Sequence, residues 1–401
     1  MRILYSHRVQ SHDGQSVHIE ELVAAFRKAG HEVRVVGPKA YQSASFGEES
    51  ALIAKIRRNF PGTLLELAEL IYSLVAFLRL RATFKDFRPD FVYERYNLYF
   101  IAGMLLKLFY RVPFYLEINS PLAEERSEFG GLRFRAFAKA LQHLVWRSAD
   151  RIFVVTAVLG GIAVEAGVSP ERISVIANGV ERDSFPNLSY KAAQRGPTDP
   201  VMIGFVGFVR VWHGLGAVVE GLASDRGDLP IELVIVGPPS DDLERQAQRL
   251  GVAHRIRFVG LHQREAIPKV IRTFDIALQP RAVAYASPLK LFEYMACGCA
   301  IVAPNQPNIR EILRDGESAV LFDPQDPRAL WRAIRRLAAD PQLRERLGIA
   351  ARRCLDERDY TWEGNASRVI KVVRSDFASA RSDGHGTAAR SRVRSAPGGS
   401  Q

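Results

Sequence analysis

Residues Ala286 to Asn305 read ASPLKLFEYMACGCAIVAPN, and this stretch decides the fold. Ser287 followed by Pro288 is a helix start: a serine oxygen caps free backbone N–H groups, and proline fits the first helical position. Leu289, Phe292 and Ala296 recur at helical spacing and face a core. Gly298 ends the helix, and Cys299 to Ala303 is a short buried strand of the parallel type, stopped by Pro304. Lys290 and Glu293 lie one turn apart on a common face of this mostly apolar helix. An open helix N-terminus presents N–H groups and the positive end of the dipole, which suits a phosphate. Lys290 adds a point charge there, and Glu293 can accept hydrogen bonds from sugar hydroxyls. Spacing alone equally allows a surface Lys–Glu pair.

The chain on either side alternates strands and helices. Upstream, Val201 to Val206 is a buried strand followed by GFVRVWHGLGAVVEGL. Gly207 and Gly214 bracket a loop holding Arg210, Trp212 and His213 ahead of a helix, a reasonable cradle for a diphosphate. At the N-terminus, Met1 to Ser6, Val17 to Ala29 and Val33 to Val36 form a strand–helix–strand unit of a parallel doubly wound sheet. The loop between, HRVQSHDGQ, lacks a G-x-G-x-x-G fingerprint. Its Gly14 either lets a ligand approach the backbone or is a plain turn glycine. His7, His12 and His18 are read as structural or solvated. FVYER at 91–95 and PFYLEI at 113–118 are further strands. Ligands of parallel sheets sit beyond the carboxyl ends of the strands, so Glu94, Arg95, Glu117 and Asn119 are site candidates. The alternative is that they are buried polar groups tying strand ends together.

A chain of 401 residues exceeds one ordinary core, so two domains are expected. The proline-rich, aperiodic stretch from Pro186 to Pro200 is the best boundary. Lys and Arg exceed Asp and Glu by 55 − 44 = 11, which favours anionic partners: nucleotide sugars, acidic membranes or nucleic acid. No zinc-finger spacing or RNP-type strand supports nucleic acid. Three cysteines argue against a disulfide framework and are too few for a metal site. MRILYSHRVQ runs straight into polar residues, so no secretory leader is expected and the protein is read as cytoplasmic. The longest apolar run, Leu64 to Leu80, is broken by Glu66, Glu69 and Arg79 and is a poor spanning segment. Within it Leu64, Leu67, Ile71, Leu74, Val75 and Leu78 make the stripe of a core-facing helix. Leu65, Leu70, Tyr72 and Phe77 add apolar surface, and Lys55, Arg57, Arg58, Arg79, Arg81 and Lys85 flank it. Leu52 to Lys85 is therefore expected either to dock on an acidic membrane from the inner face or to be buried against a loop or subunit.

SPLKLFEYMACGCAIVAPN resembles the donor-site signature of retaining glycosyltransferases of family 4, which have the two-domain GT-B fold. MRILYSHR, KAGHEVRVVGP, YERYN, LEINSPLAEER and ISVIANGVERDSF resemble the first domain of the same family. The resemblance implies that Ser287, Pro288 and Leu289 hold a nucleotide diphosphate with Lys290, and that Glu293 holds the ribose. It implies that Leu261 and His262 border the base, and that the Gly14 loop, Glu94 and Arg95 lie on the acceptor side, with Glu117 and Asn119 facing the reaction centre. The family's G-R-L-x-x-x-K-G loop falls on Gly207 to Gly214, with Phe208 and His213 in place of its two cations and Arg210 as a relocated one. This W-H-G variant resembles a subgroup with the same SPLKLFEYMA helix. The first glutamate of the family's E-x7-E motif falls on Tyr285.

The expected architecture is α/β, two Rossmann-like domains whose parallel sheets face across a cleft. Residues 1–187 form the acceptor-side domain, 188–200 a linker and 201–360 the nucleotide-sugar domain. Residues 361–378 are a helix crossing back, and 379–401 a disordered tail rich in Ser, Gly, Ala and Arg. The implied function is transfer of a sugar from a nucleotide diphosphate sugar to a glycan or lipid-linked acceptor, in polysaccharide or glycolipid biosynthesis, with no metal or other cofactor. A non-catalytic nucleotide-sugar-binding subunit and another GT-B enzyme, such as an epimerase, stay open.

Overall fold

The computed structural model describes residues 1–9, 14–38, 62–128, 130–185, 199–225 and 229–393. In the first half the chain runs β1 (Arg2–Ser6), α1 (Gly14–Lys28), β2 (Glu32–Val36), α2 (Gly62–Phe87), β3 (Phe91–Arg95), α3 (Ala102–Tyr110) and β4 (Phe114–Ile118). It continues through α4 (Leu122–Glu128), α5 (Arg135–Ser148), β5 (Arg151–Val154), α6 (Ala157–Glu165) and β6 (Ile173–Val175). The second half runs β7 (Val201–Val206), α7 (Leu215–Ser224), β8 (Ile231–Val236), α8 (Asp241–Arg249), β9 (Ile256–Phe258), α9 (Ile267–Ile271) and β10 (Ile276–Leu278). Then come α10 (Leu289–Ala296), β11 (Ala300–Pro304), α11 (Pro307–Arg310), β12 (Val320–Phe322), α12 (Ala329–Ala339), α13 (Pro341–Glu357) and α14 (Trp362–Val393).

Two six-stranded sheets result, in the orders β2-β1-β3-β4-β5-β6 and β12-β11-β10-β7-β8-β9, with every pairing parallel. Helices cover both faces of a parallel sheet, so its strands read as unbroken apolar runs, and β3, β4, β7 and β11 are buried at every position. In each sheet the strand order reverses direction once, between β1 and β3 and between β7 and β10. Crevices open beyond the carboxyl ends of the strands at such points.

Alternation divides the first sheet into two cores. Leu4, Val92, Leu116, Ile152 and Val154 pack under α2, α3, α5 and α6. Tyr5, Tyr93, Tyr115 and Phe153 pack under α1 and, from the far end of the chain, under Trp362, Val369 and Val373 of α14. The crossing helix is thus part of the first domain's core, and Arg151 pins it with a bidentate pair to Asp376 at 2.9 and 2.6 Å.

Three sequence expectations need correction or placement. The last helix extends to Val393, past the boundary set at 378, so a structureless tail does not begin at 379. The linker residues 186–198 and the segment 52–61 lie outside the described residues. The apolar stripe on α2 is reversed in sense: Leu64, Leu67, Ile71, Leu74, Val75 and Leu78 are 41–60% exposed. The helix instead buries Glu66, Ser73, Ala76, Leu80 and Phe87. Its polar inward positions are satisfied, Glu66 by Tyr99 and by the backbone N–H groups of Arg133 and Phe134, and Ser73 by the N–H of Ile101.

α10 is seated by direct backbone contact. Gly298 ends it in a left-handed conformation at φ 65°, and a Cβ added at Gly348 of α13 would lie 2.0 Å from the Gly298 carbonyl oxygen. Backbone cannot move aside as a side chain tip can, so Gly348→Ala should destabilise the fold by about 1–3 kcal/mol or more. Urea denaturation of the variant measures this, and an unchanged midpoint would contradict the packing described.

Candidate active site

The second sheet's reversal between β7 and β10 is where α10 begins. Tyr294 fastens the helix there: its hydroxyl accepts from the N–H of Val206 at 3.0 Å and donates to the carbonyl of Leu278 at 3.4 Å. The first helical residue is Leu289, with Pro288 in the capping position and no side-chain cap. The expected cap by Ser287 is not made. Its Oγ accepts instead from the N–H of Asn178 at 3.2 Å, while Asn178 Nδ2 donates to the Ser287 carbonyl at 2.6 Å. Ser287 is spent on docking the loop to the end of the first domain, which leaves the helix start open.

Lys290 lies one turn inside. Its ammonium sits 3.9 Å from the ring centroid of Phe205, and among the described residues it makes no ion pair with Glu293. Burial pulls the amine down to about 7, against a smaller opposing pull from Glu293. The surface-pair alternative is thereby excluded for this structure. Across from it Gly207, at φ 122°, keeps the strand end bare: a Cβ there would lie 3.6 Å from Lys290 Nζ. A Cβ at Gly237 would lie 2.4 Å from the Gly207 carbonyl, so the two loops meet backbone to backbone.

The remaining loop residues divide by burial. Arg210 is exposed, its guanidinium 5.7 Å from the Phe208 ring. His213 packs 5.2 Å from Phe205, and its Nδ1 accepts from the Arg210 N–H at 3.3 Å. Burial, then the charge of Lys290, push its pKa to about 3. In the unliganded chain His213 is therefore neutral near pH 7, unlike the lysine that the family's loop carries at this position. Trp212 is half-exposed against His213. Leu261 and His262 lie beyond β9 at the sheet edge, and no hydrogen bond or ion pair joins them to Lys290 among the described residues.

Glu293 opens into a small pocket between the domains, with Val17, Val180, Arg264, Leu289 and Trp362 in its walls. Arg264 crosses to pair with Glu21 of α1. The loop before α10 is tied to the first domain at Tyr285 too: its hydroxyl donates to Glu125 Oε2 at 3.0 Å, and Thr156 Oγ1 donates to its carbonyl at 2.9 Å. Tyr285 is thus a tether between domains.

In the first domain, register decides which candidates face the ligand side. Arg95 pairs opposite Glu117, so Tyr93, Arg95 and Glu117 share the α1 and α14 face. Glu117 Oε1 meets Arg95 at 2.6 Å, Asn119 Nδ2 at 2.6 Å and His18 Nε2 at 2.9 Å, while Oε2 accepts from the Tyr93 hydroxyl at 2.9 Å. Burial alone would raise this carboxyl; His18, Arg95 and Asn119 outweigh it and hold it well below the usual range. Both oxygens are occupied and 3% of the residue is exposed, so Glu117 positions its neighbours rather than reaching a substrate. Asn119, half-buried, is the member nearest the surface. Glu94 points to the opposite face and is fully buried, bonded to Ser6 Oγ and the Gly103 N–H, with burial pushing it up to about 8. It belongs to the core, not to the acceptor side. Gly14 is the first residue of α1.

His18, Arg264 and Trp362 were not sequence candidates. Trp362 covers the His18 ring at 4.7 Å, and only their separate places on α1 and α14 bring them together. The single available signal was His18 on the sheet-facing side of its helix.

Removing one partner of a buried ion pair strands the other charge. Glu117→Ala should therefore cost about 3–5 kcal/mol of stability, and Glu117→Gln markedly less, in urea denaturation. Equal stability of Glu117→Ala and the parent protein would contradict the network.

Residues 13–179 match the family model described as glycosyl transferase 4-like domain, and residues 189–354 match the one described as glycosyl transferases group 1. A D-inositol 3-phosphate glycosyltransferase of Thermomonospora curvata is 26% identical over 396 residues, 90% of each chain. The match to the Corynebacterium urealyticum protein of the same name spans 51% of that protein. Sucrose-phosphate synthase of Thermosynechococcus elongatus superposes with a TM-score of 0.76 at 19% identity, over 94% of this chain and 100% of that one. Anabaena HepE in complex with UDP-glucose superposes with a TM-score of 0.68 at 16% identity over the same shares. The two family models adjoin at the boundary between the two sheets, and the chain is a glycosyltransferase of the GT-B fold, a glycosyl transferase 4-like domain followed by a group 1 domain.

Proposed function

We propose that this chain is a retaining transferase that moves one sugar from a nucleotide diphosphate sugar to an acceptor hydroxyl, in polysaccharide or glycolipid biosynthesis. The observation that carries the reading is Lys290: an amine that makes no ion pair among the described residues, beside an uncapped helix start and a bare glycine loop. A diphosphate is the complement of such a place, because it brings the missing negative charge and acceptors for the free N–H groups. HepE of Anabaena, with the same fold, binds UDP-glucose, which supports the donor class. Glu293, in the adjoining pocket, is read as the ribose ligand, and Leu261 and His262 as neighbours of the base. The W-H-G subgroup is kept as part of this reading.

In the reaction the bond from the anomeric carbon to the diphosphate breaks. The acceptor oxygen bonds to the same face of that carbon, and its proton passes to the departing diphosphate. Charge on the leaving group is met by Lys290, Arg210 and the helix N–H groups, which are fixed before the bond breaks. These protein groups supply the positive charge, so the reading involves no metal. Asn119, held by Glu117, is the first-domain group placed toward the acceptor. The acceptor is a glycan or a lipid-linked glycan, and the third partner is an acidic membrane surface at the cytoplasmic face. No helix among the described residues is long and apolar enough to cross a membrane.

Two measurements test the donor site. Free protein loses the Lys290 proton above about pH 7, whereas a bound diphosphate holds it, so the complex carries more protons than its parts. Nucleoside diphosphate affinity should therefore fall as pH rises above about 7, by up to about tenfold per unit, with proton uptake in calorimetry. Lys290→Met should bind weakly and lose the slope; a slope retained in that variant would place the titrating group elsewhere. Separately, a thermal-shift panel of UDP-, GDP- and ADP-sugars should stabilise the parent with one base preferred, about 2.7 kcal/mol at a hundredfold excess over Kd. Glu293→Ala should weaken that donor by about 1.5–3 kcal/mol, and Arg210→Ala should cut turnover while leaving the fold intact. Full donor affinity in Glu293→Ala would remove it from the site.

A further inference from the structure

The exposed face of α2 has no partner among the described residues. Every exposed position from Thr63 to Ala82 is uncharged, and apart from Thr63 all are Leu, Ile, Val or Ala. They recur at helical spacing over about 30 Å, so they make one continuous ridge. Monomeric proteins rarely present a strip of this size to water. The carboxylates on this stretch of the helix, Glu66 and Glu69, both point inward. Glu69 is held by Arg126 at 2.8 Å and Arg8 at 3.5 Å.

Neighbouring elements lengthen the ridge and add cations at both ends. Phe134 and Phe137 are exposed at the start of α5, which adjoins the start of α2 through the Glu66 bonds to Arg133 and Phe134. Arg133 and Arg135 flank these rings, exposed. At the other end Phe109 of α3 is exposed and packs 5.8 Å from Phe77 of α2, with Arg111 and Lys85 exposed beside it.

We propose that this ridge is a docking surface for an anionic lipid bilayer, lying in the headgroup region with its apolar side chains inward. Charge selects this occupant over a second copy of the chain. Two copies meeting on the ridge would bring like cations together, with no carboxylate of α2 between Gly62 and Ala82 facing out to meet them. Anionic headgroups neutralise those cations while the acyl boundary takes the apolar strip. The proposal deepens the reading of a transferase working at an acidic membrane surface and rests on it, but its readouts are separate.

The full chain is floated with vesicles of phosphatidylcholine alone and of phosphatidylcholine with phosphatidylglycerol. The expected result is recovery higher by on the order of tenfold with phosphatidylglycerol, lost at high salt. It should also be lost in Leu67→Gln/Leu74→Gln/Leu78→Gln and, independently, in Arg133→Glu/Arg135→Glu. These positions are exposed, so both variants should keep the parent's melting temperature and nucleotide-sugar thermal shift. Absence of that shift in the parent would count against the transferase reading and leave the surface untouched. Equal recovery with both vesicle types, or undiminished binding by the glutamine variant, overturns the proposal. So does a parent dimer that the glutamine variant converts to monomer in sedimentation without vesicle binding, which would assign the ridge to a second copy.

Discussion

A lysine amine held over an aromatic ring, with no ion pair among the described residues, is the constraint around which the second domain is arranged. Drawing Lys290 partly out of water costs free energy that Phe205 returns only in part, since a cation over a ring contributes about 0.5–2 kcal/mol. The surroundings keep it there by rigidity. Tyr294 bolts the helix to the ends of β7 and β10, and α13 backs it through the Gly298–Gly348 contact. The close approach of Gly207 and Gly237 leaves no side chain to fill the space opposite. A site kept open and immobile in this way is preorganised for an anion, because little has to move when one arrives.

The first domain solves the reverse problem. Its buried charge, the Glu117 carboxylate, is satisfied at both oxygens by Arg95, His18, Asn119 and Tyr93. That network fixes the ends of β3 and β4, and through Trp362 over His18 it also senses the helix that returns from the second domain. Tyr285 to Glu125, Arg264 to Glu21 and Ser287 to Asn178 join the same two bodies. The cleft is thus defined by specific polar links, and the loop leading into α10 carries two of them.

What was legible in the sequence was local. The strand–helix–strand rhythm, the bare glycines at 207 and 298 and the Lys290–Glu293 helix all lie within short windows whose periodicity and turn chemistry are self-contained. What was not legible depended on a distant partner or on a direction. Ser287 looks like a cap because the residue that claims its hydroxyl is Asn178, 109 positions away. Glu94 and Arg95 are adjacent and equally polar, yet alternation sends one into the α3 core and the other toward Glu117, and nothing local says which face is which. Periodicity on α2 identified an apolar face but not whether it points inward, and the inward side proved to be the one carrying Glu66 and Ser73. His213 stands at the place of the family's lysine, and only its packing on Phe205 beside Lys290 shows that burial holds it neutral in the unliganded chain.

The central claim, sugar transfer with retention at the Lys290 site, is tested most directly by NMR of the glycoside formed from the preferred nucleotide sugar and an acceptor alcohol. The account predicts one nucleoside diphosphate released per glycoside, none without acceptor, and an anomeric configuration equal to the donor's. A glycoside of inverted configuration, or diphosphate released with no glycoside formed, would contradict it.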